Sequence, residues 1–381
     1  MGAQHPIVII GSGYAGLQLA RQYRRHSPSG PLVIVSADDG AEYAKPQLSH
    51  VISKRQAAND LVSKQATELA KELKALFLTE QQALSIDAAK QTVQLSGREL
   101  PYRDLILAVG AEAWVPPVNG DATSEIITLN SLQEYRQHEV PLKRSHRVLI
   151  IGAGLIGCEL ANDFLQAGKH VTVCDPTDRV LSALLPEFAS EKLQAVLSLK
   201  GCQFELLNTL VSAEKTDDGI KATFRDGKTL IVDCIVCAAG LRPRVTLAKT
   251  AGLNVNRGII VNNQLMTSVP NIYALGDCTE MDGYLRPYLQ PIMVSAQALA
   301  KTLSGEPSKV CWPVMPVNVK TTSLPVQSAG DVRSDDLIWQ LDEDDNGLTG
   351  RAFRQEQLVG FVTAGQHTAA SLNLLKQLNE N

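Results

Sequence analysis

Ile7-Val8-Ile9-Ile10-Gly11-Ser12-Gly13-Tyr14-Ala15-Gly16 decides the fold, because Val148-Leu149-Ile150-Ile151-Gly152-Ala153-Gly154-Leu155-Ile156-Gly157 repeats its pattern. Each is an apolar run, as in a strand buried on both faces, feeding straight into G-x-G-x-x-G. The helices that follow are predicted over 14–25 and 155–167, with Gly168 placed to end the second. In such a turn the first glycine makes the bend. The second lets the backbone approach a pyrophosphate, and the third lets the helix pack on the strand. The pyrophosphate then rests on N–H groups at the positive end of the helix dipole. Each copy continues into a second strand and an acid: Leu32-Val33-Ile34-Val35 precedes Asp38, and Val171-Thr172-Val173-Cys174 precedes Asp175. Asp38 lies 22 residues after Gly16 and Asp175 lies 18 after Gly157, the reach expected of a carboxylate that accepts ribose hydroxyls. Glycine turns used only for packing do not explain strand, glycines, helix, strand and acid in the same order twice.

The rest of the chain is consistent with a multidomain enzyme. Its 381 residues suggest two or three domains. Lys plus Arg is 36 and Asp plus Glu is 40, a net charge of −4 that leaves no electrostatic footprint for nucleic acid. A chain that is 44% hydrophobic and 20% charged is not disordered. Apolar runs such as Val148 to Ile151 and Ile259 to Val261 fall far short of the ~20 residues of a membrane span. Met1 to Pro6 lacks the positive stretch of a signal peptide, and Pro6 sits where a myristoylation motif starting at Gly2 wants Ser or Thr. Seven cysteines, an odd count lying mostly in apolar segments, fit reduced thiols in a cytoplasmic protein. Two nucleotide sites in one chain of this length point to a flavoprotein with a nicotinamide partner.

Three further segments carry a family resemblance. Asn271-Ile272-Tyr273-Ala274-Leu275-Gly276-Asp277-Cys278, approached by Thr267-Ser268-Val269-Pro270, looks like a second FAD segment whose Asp binds the ribitol chain. Leu107-Ala108-Val109-Gly110-Ala111 and Cys237-Ala238-Ala239-Gly240-Leu241-Arg242-Pro243 look like crossovers into and out of an inserted domain. With the two glycine turns, these resemble the flavoprotein reductases built on two dinucleotide-binding domains. The resemblance implies an α/β protein with two Rossmann-like domains, the NAD domain inserted in the FAD domain, plus a small α+β C-terminal domain. The FAD domain would be 1–113 and 244–315, the NAD domain 114–243 and the C-terminal domain 316–381.

Within that family the redox centre beside the flavin separates the branches. Glu42 to His50, where the disulfide and peroxidase relatives carry cysteine, has none. Cys234-Ile235-Val236-Cys237 is a C-x-x-C, but it lies in the apolar run Ile231 to Ala238. Residues three apart in a strand point to opposite faces, so these read as buried structural thiols. Tyr43-Ala44-Lys45-Pro46-Gln47-Leu48-Ser49 resembles the flavin-contacting segment of the ferredoxin and rubredoxin reductases, and Gly157-Cys158-Glu159-Leu160 matches the same branch. Val317-Asn318-Val319-Lys320-Thr321 resembles the rubredoxin-reductase segment that brings a Lys to the flavin. The aromatic-rich C-terminal segment of the ferredoxin reductases is missing.

The branch implies FAD and NADH as cofactors and no metal. Hydride passes from NADH to flavin, and single electrons pass onward to a rubredoxin, or to the rubredoxin centre of a flavorubredoxin nitric oxide reductase. A rubredoxin reductase of alkane oxidation, a ferredoxin reductase and an NADH-sensing flavoprotein without turnover are the alternatives. The resemblance assigns FAD contacts to Gly11, Ser12, Gly13, Tyr14, Ala15, Ala37, Asp38, Lys45, Pro46, Ala83, Gly110, Asp277, Gln290 and Lys320. It assigns NADH contacts to Gly154, Leu155, Ile156, Glu159, Asp175 and Gly240. Lys45 would stabilise negative charge on the reduced flavin, with Glu159 as its partner. The alternatives are a surface lysine, and a surface glutamate favoured by the helix dipole. Rubredoxins tend to be acidic, so Lys54 with Arg55, and the helix face of Arg21, Arg24 and Arg25, are candidate docking clusters. Asp342-Glu343-Asp344-Asp345 is expected to be a solvated loop facing away from them.

Overall fold

The computed structural model describes residues 5–380, so Gly2, where a myristoyl group is not expected, lies outside the described residues. The chain divides into two compact units. The first comprises 1–45, 59–112 and 241–312, and the second 46–58, 113–240 and 313–381.

The first unit is built on a five-stranded parallel sheet in the order Ile272–Ala274, Asp104–Leu107, Ile7–Ile10, Leu32–Val35, Leu76–Leu78. Ile7–Ile10 is its middle strand and is buried along its whole length, which is why it is apolar throughout and does not alternate. The helix Tyr14–His26 starts directly from the glycine turn and buries Leu17, Leu19, Ala20 and Tyr23. It packs against a second helix, Leu289–Leu303. A three-stranded antiparallel sheet over Ala83–Asp87, Thr92–Leu95 and Arg98–Pro101 precedes the return strand Asp104–Leu107.

The second unit repeats the plan. Its parallel sheet runs Ile127–Thr128, Cys234–Cys237, Arg147–Ile151, His170–Asp175, Gln203–Leu206. The glycine-turn strand is again in the middle, and the helix Leu155–Gln166 leaves it. A three-stranded antiparallel sheet over Leu210–Thr216, Gly219–Phe224 and Thr229–Val232 again precedes the return strand. The sequence repeat is therefore a repeat of the whole fold.

The same unit contains the C-terminal region, a five-stranded antiparallel sheet in the order Val317–Val319, Val326–Gly330, Gln357–Gly365, Gly347–Arg354, Ile338–Asp344. Helix Ser371–Glu380 covers it, with Leu374 and Leu378 against Ala329, Leu358 and Phe361. Trp339 meets Phe188 of the helix Glu187–Leu199 edge to face, centroids 4.9 Å apart. The acidic run Asp342 to Asp345 is exposed, as expected, but it is not a loop. It forms the end of the edge strand Ile338–Asp344 and the turn after it. Asp344 closes that turn by accepting N–H bonds from Asn346 and Gly347. A charged edge strand is one way in which a sheet avoids pairing with a second chain.

Candidate functional sites at the two glycine turns

Gly11, Gly13 and Gly16 divide the labour of the first turn. A Cβ on Gly11 would lie 2.2 Å from the Ala108 carbonyl oxygen, and one on Gly16 would lie 2.0 Å from the Gly11 oxygen. A Cβ on Gly13 would meet nothing within 4 Å. Two glycines therefore permit close packing, while the middle one faces open space. Gly13 is the N-cap of the helix with no side-chain cap, and no acid lies in the first turn. The N–H groups of that turn are thus left for an anion. Gly276, at φ +87°, brings the Asp277 segment to the same place, since a Cβ there would lie 2.8 Å from the Ala15 Cβ. Burial pushes the Asp277 carboxyl up, and the Lys45 ammonium acts against that rise. These features fit a dinucleotide phosphate at the turn with polar partners beside it. Ala37 and Gln290 are exposed, and Ala83 is half-buried at the start of its strand.

The second turn has the same construction. A Cβ on Gly152 would lie 2.6 Å from the Ala238 oxygen, one on Gly157 1.9 Å from the Gly152 oxygen, and one on Gly154 would meet nothing within 4 Å. Gly154 is an N-cap without a side-chain cap, and the first turn carries no acid. Gly240, at φ +117°, also faces open space, and Ile156 is exposed.

Register shows how the acids differ. Gly11 N–H donates to the Val35 oxygen and Gly152 N–H to the Cys174 oxygen, each at 2.8 Å. Ser36 is therefore the counterpart of Asp175, and Ser12 that of Ala153. In the second fold Asp175 accepts the Ala153 N–H at 2.7 Å, and also the Thr177 N–H and hydroxyl. In the first fold the Ser12 and Ser36 hydroxyls lie 2.6 Å apart, and Ser36 donates to Asp38 at 2.5 Å. Asp38 is thus two residues further along and reaches the turn through a serine. Ser36 belongs to no motif, and only the register comparison finds it.

Glu159 is not a surface glutamate. It is 2% exposed, and each carboxylate oxygen has a donor: Ser49 Oγ at 2.6 Å and Lys320 N–H at 2.9 Å. Lys320 thus meets Glu159 through its backbone, while the residue as a whole is exposed. Pro46 and Ser49 belong to a 3₁₀ helix, Lys45–His50, in which Ser49 Oγ also bonds the Pro46 oxygen.

Cys234 and Cys237 occupy the strand that corresponds to Asp104–Leu107 of the first fold. Both are buried and unbonded to each other. Cys237 packs with Leu149, Ile151 and Cys174, a cluster that Cys234 does not join. Burial pushes the Cys234 thiol up to about 12 and raises that of Cys237, so neither is a thiolate near neutral pH. The first cysteine in the chain is Cys158, so residues 1–157 hold none. We expect a Cys234→Ala/Cys237→Ala variant to oxidise NADH with ferricyanide at the wild-type rate. Lost turnover with normal flavin content would restore a dithiol mechanism.

The arginine face expected as a docking cluster is largely spent inside the molecule. Arg21 pairs with Glu42 at 2.6 Å and Glu72 at 2.9 Å, and Arg24 donates to the Leu73, Lys74 and Ser27 carbonyls. Arg24 thereby satisfies two carbonyls at the end of helix Ala66–Leu73, a structural use of the charge. Lys54 and Arg55 are exposed and form no ion pair among the described residues. No helix among the described residues is long and apolar enough to cross a membrane, and no acid, His or Cys cluster is placed to hold a metal.

A chain that repeats one dinucleotide fold, each copy with an open middle glycine and an acid after its second strand, belongs to the class of proteins that bind two dinucleotides. Residues 5–299 match the family model described as pyridine nucleotide-disulphide oxidoreductase, and residues 309–378 match the rubredoxin binding C-terminal domain. The chain is 44% identical over 378 residues to the nitric oxide reductase FlRd-NAD(+) reductase of Vibrio vulnificus, covering 98% of each. It is 44% identical over 374 residues to the protein of that name from Pectobacterium atrosepticum, again covering 98% of each. Among solved structures, the NADH:rubredoxin oxidoreductase of Clostridium acetobutylicum shares the fold with a TM-score of 0.81 and 20% identity, covering 99% of this chain and 96% of that one. The chain belongs to the pyridine nucleotide-disulphide oxidoreductase family and carries a rubredoxin-binding C-terminal domain.

Proposed function

We propose that this protein is a cytoplasmic FAD-dependent NADH:flavorubredoxin oxidoreductase. It takes reducing equivalents from NADH and delivers them to the rubredoxin centre of a flavorubredoxin that reduces nitric oxide, in support of nitric oxide detoxification. The observation that carries this reading is the rubredoxin-binding domain at residues 309–378 on a chain with no thiol in residues 1–157. Without a thiol relay beside the first fold, electrons leave for an outside protein.

In this reading FAD lies on 1–113 and 244–315 and NADH on 114–243, with 316–381 as the acceptor domain. When bound, FAD supplies the change from two-electron to one-electron chemistry. Gly13, Tyr14 and Ala15 offer backbone N–H groups to its pyrophosphate, with Gly11 and Ser12 shaping the turn. Asp38 takes the adenosine ribose, beside Ala37, and Ala83 passes its backbone by the adenine. Asp277, Lys45, Gly110 and Gln290 line the ribitol and ring end. Gly154, Leu155 and Ile156 hold the NADH pyrophosphate, Gly240 takes part in the same site, and Glu159 orients the nicotinamide.

Asp175 sets cofactor choice. Its carboxylate stands at the strand end where the adenosine ribose is held, and the neighbouring cation is occupied, since Arg179 Nη1 lies 3.1 Å from both Asp178 oxygens. At an effective dielectric constant near 20, each unit of negative charge on a 2′-phosphate roughly 5 Å from a carboxylate costs ~3 kcal/mol. The expected kcat/KM preference for NADH over NADPH is therefore about 100-fold, and Asp175→Ala narrows it to about tenfold or less. Steady-state ferricyanide reduction with each nucleotide is the test. Equal use of both by the wild type sinks the assignment of Asp175, and no NADH oxidation at all sinks the function.

A further inference from the structure

One face of the second-fold helix presents Glu159, Asn162, Asp163 and Gln166, spaced i, i+3, i+4 and i+7. Glu159 is 2% exposed, and Asn162 and Asp163 are each 1% exposed. Polar groups buried this deeply are costly unless hydrogen-bonded. All are bonded, and their partners come from two segments distant in sequence.

The first segment is 49–53. Asp163 accepts the Ile52 N–H at 2.9 Å on one oxygen, and on the other the Ser53 N–H at 3.1 Å and the Ser53 hydroxyl. The second is 320–323. Asn162 donates to Thr322 Oγ1 at 3.0 Å and accepts the Ser323 N–H at 3.2 Å, and Gln166 also donates to Thr322 Oγ1. Replacing buried charged groups by well-packed apolar side chains is often neutral for stability. What the polar contacts add is register. Ser49, a few residues before the Asp163 clamp, donates to one oxygen of Glu159. Lys320, two residues before Thr322, donates to the other. Each donor to Glu159 is therefore held by a clamp one turn further along the same helix.

We infer that Asp163 with Ser53, and Asn162 with the Thr322 hydroxyl and the Ser323 N–H, are positioning residues that fix the plane of the Glu159 carboxylate. This rests on the reading of Glu159 as the group that orients the nicotinamide. The clamp touches neither nucleotide in that reading. Its loss then lowers the rate of the bound complex and leaves NADH affinity in place.

The test uses the full chain loaded with FAD. Ser53→Ala is expected to lower kcat for NADH-dependent ferricyanide reduction about tenfold, the effect of losing one hydrogen bond to a charged group, with KM for NADH within about twofold. Ser53→Thr keeps the hydroxyl and is expected to restore kcat to within about twofold. Asp163→Asn is expected to speed hydrogen–deuterium exchange at the Ile52 and Ser53 amides. If it does not fold, the same exchange is read in Ser53→Ala. A wild-type kcat in Ser53→Ala, with exchange at 52–53 accelerated, overturns the proposal. So does a loss that Ser53→Thr does not recover. If the wild type itself fails to oxidise NADH, the functional reading falls first and this role falls with it.

Discussion

Gly13→Ala and Gly154→Ala are expected to fold normally yet lose nucleotide, whereas Gly16→Ala and Gly157→Ala are expected to lose the fold around the turn. The difference lies in where each new methyl would go. At Gly13 and Gly154 it meets no protein atom within 4 Å, so it projects into the space where the pyrophosphate approaches the backbone. At Gly16 and Gly157 it lies 2.0 and 1.9 Å from a carbonyl oxygen of the same turn, and the helix must move off its strand. Overpacking of that kind costs about 3 kcal/mol. Gly13→Ala should purify with little flavin, and its flavin-free form should melt at the same temperature as the flavin-free wild type. Gly154→Ala should keep its flavin and raise the KM for NADH by roughly 100-fold, the scale of losing a close charged contact. Full flavin content in Gly13→Ala would mean that the first turn does not hold the pyrophosphate. Equal stability of Gly157→Ala and Gly154→Ala would contradict the packing argument.

Reversing the charge at both Lys54 and Arg55 is expected to cut rubredoxin reduction by roughly tenfold to 100-fold, the usual scale for losing electrostatic steering. Ferricyanide reduction should stay within about twofold, because a small anion needs no shaped docking patch. Both residues are exposed, unlike Arg21, whose charge is already answered by Glu42 and Glu72. Their turn is held by the bonds from Ile52 and Ser53 to Asp163. The wild-type rubredoxin rate should fall as salt rises, since exposed charges are screened within ~10 Å at 0.1 M. Stopped-flow NADH oxidation should be unchanged by Lys54→Glu/Arg55→Glu. A rubredoxin rate indifferent to both salt and charge reversal would place docking elsewhere. Rapid ferredoxin reduction with no rubredoxin reduction at any salt concentration would overturn the choice of acceptor.

The structure answers Arg21 with two carboxylates and turns Arg24 onto backbone carbonyls, while Arg25 stays exposed. Three arginines on one helical face read from sequence as a cationic patch. Glu42 and Glu72, which neutralise Arg21, lie 21 and 51 residues away, and no local pattern announces that they meet it. The acidic run at 342–345 misled for a related reason. Four charged residues in a row suggest a loop, yet this edge strand carries charge on both faces because both are exposed along its end.

What the sequence by itself determined is the part of the protein written in local pattern: two apolar strands, two glycine turns, their helices and the acids after the second strands. Steric rules act between residues close in sequence, so the bend at Gly11 or Gly152 and the absent Cβ at Gly16 or Gly157 are legible there. The opposite facing of Cys234 and Cys237 followed from strand periodicity for the same reason. Only the tertiary structure decided that Ser36 stands where Asp175 stands, that Glu159 is buried, and that its two donors come from 110 and 161 residues away. Burial and hydrogen-bond partnership depend on which distant segments a chain brings together, and that is settled by the packing of whole elements.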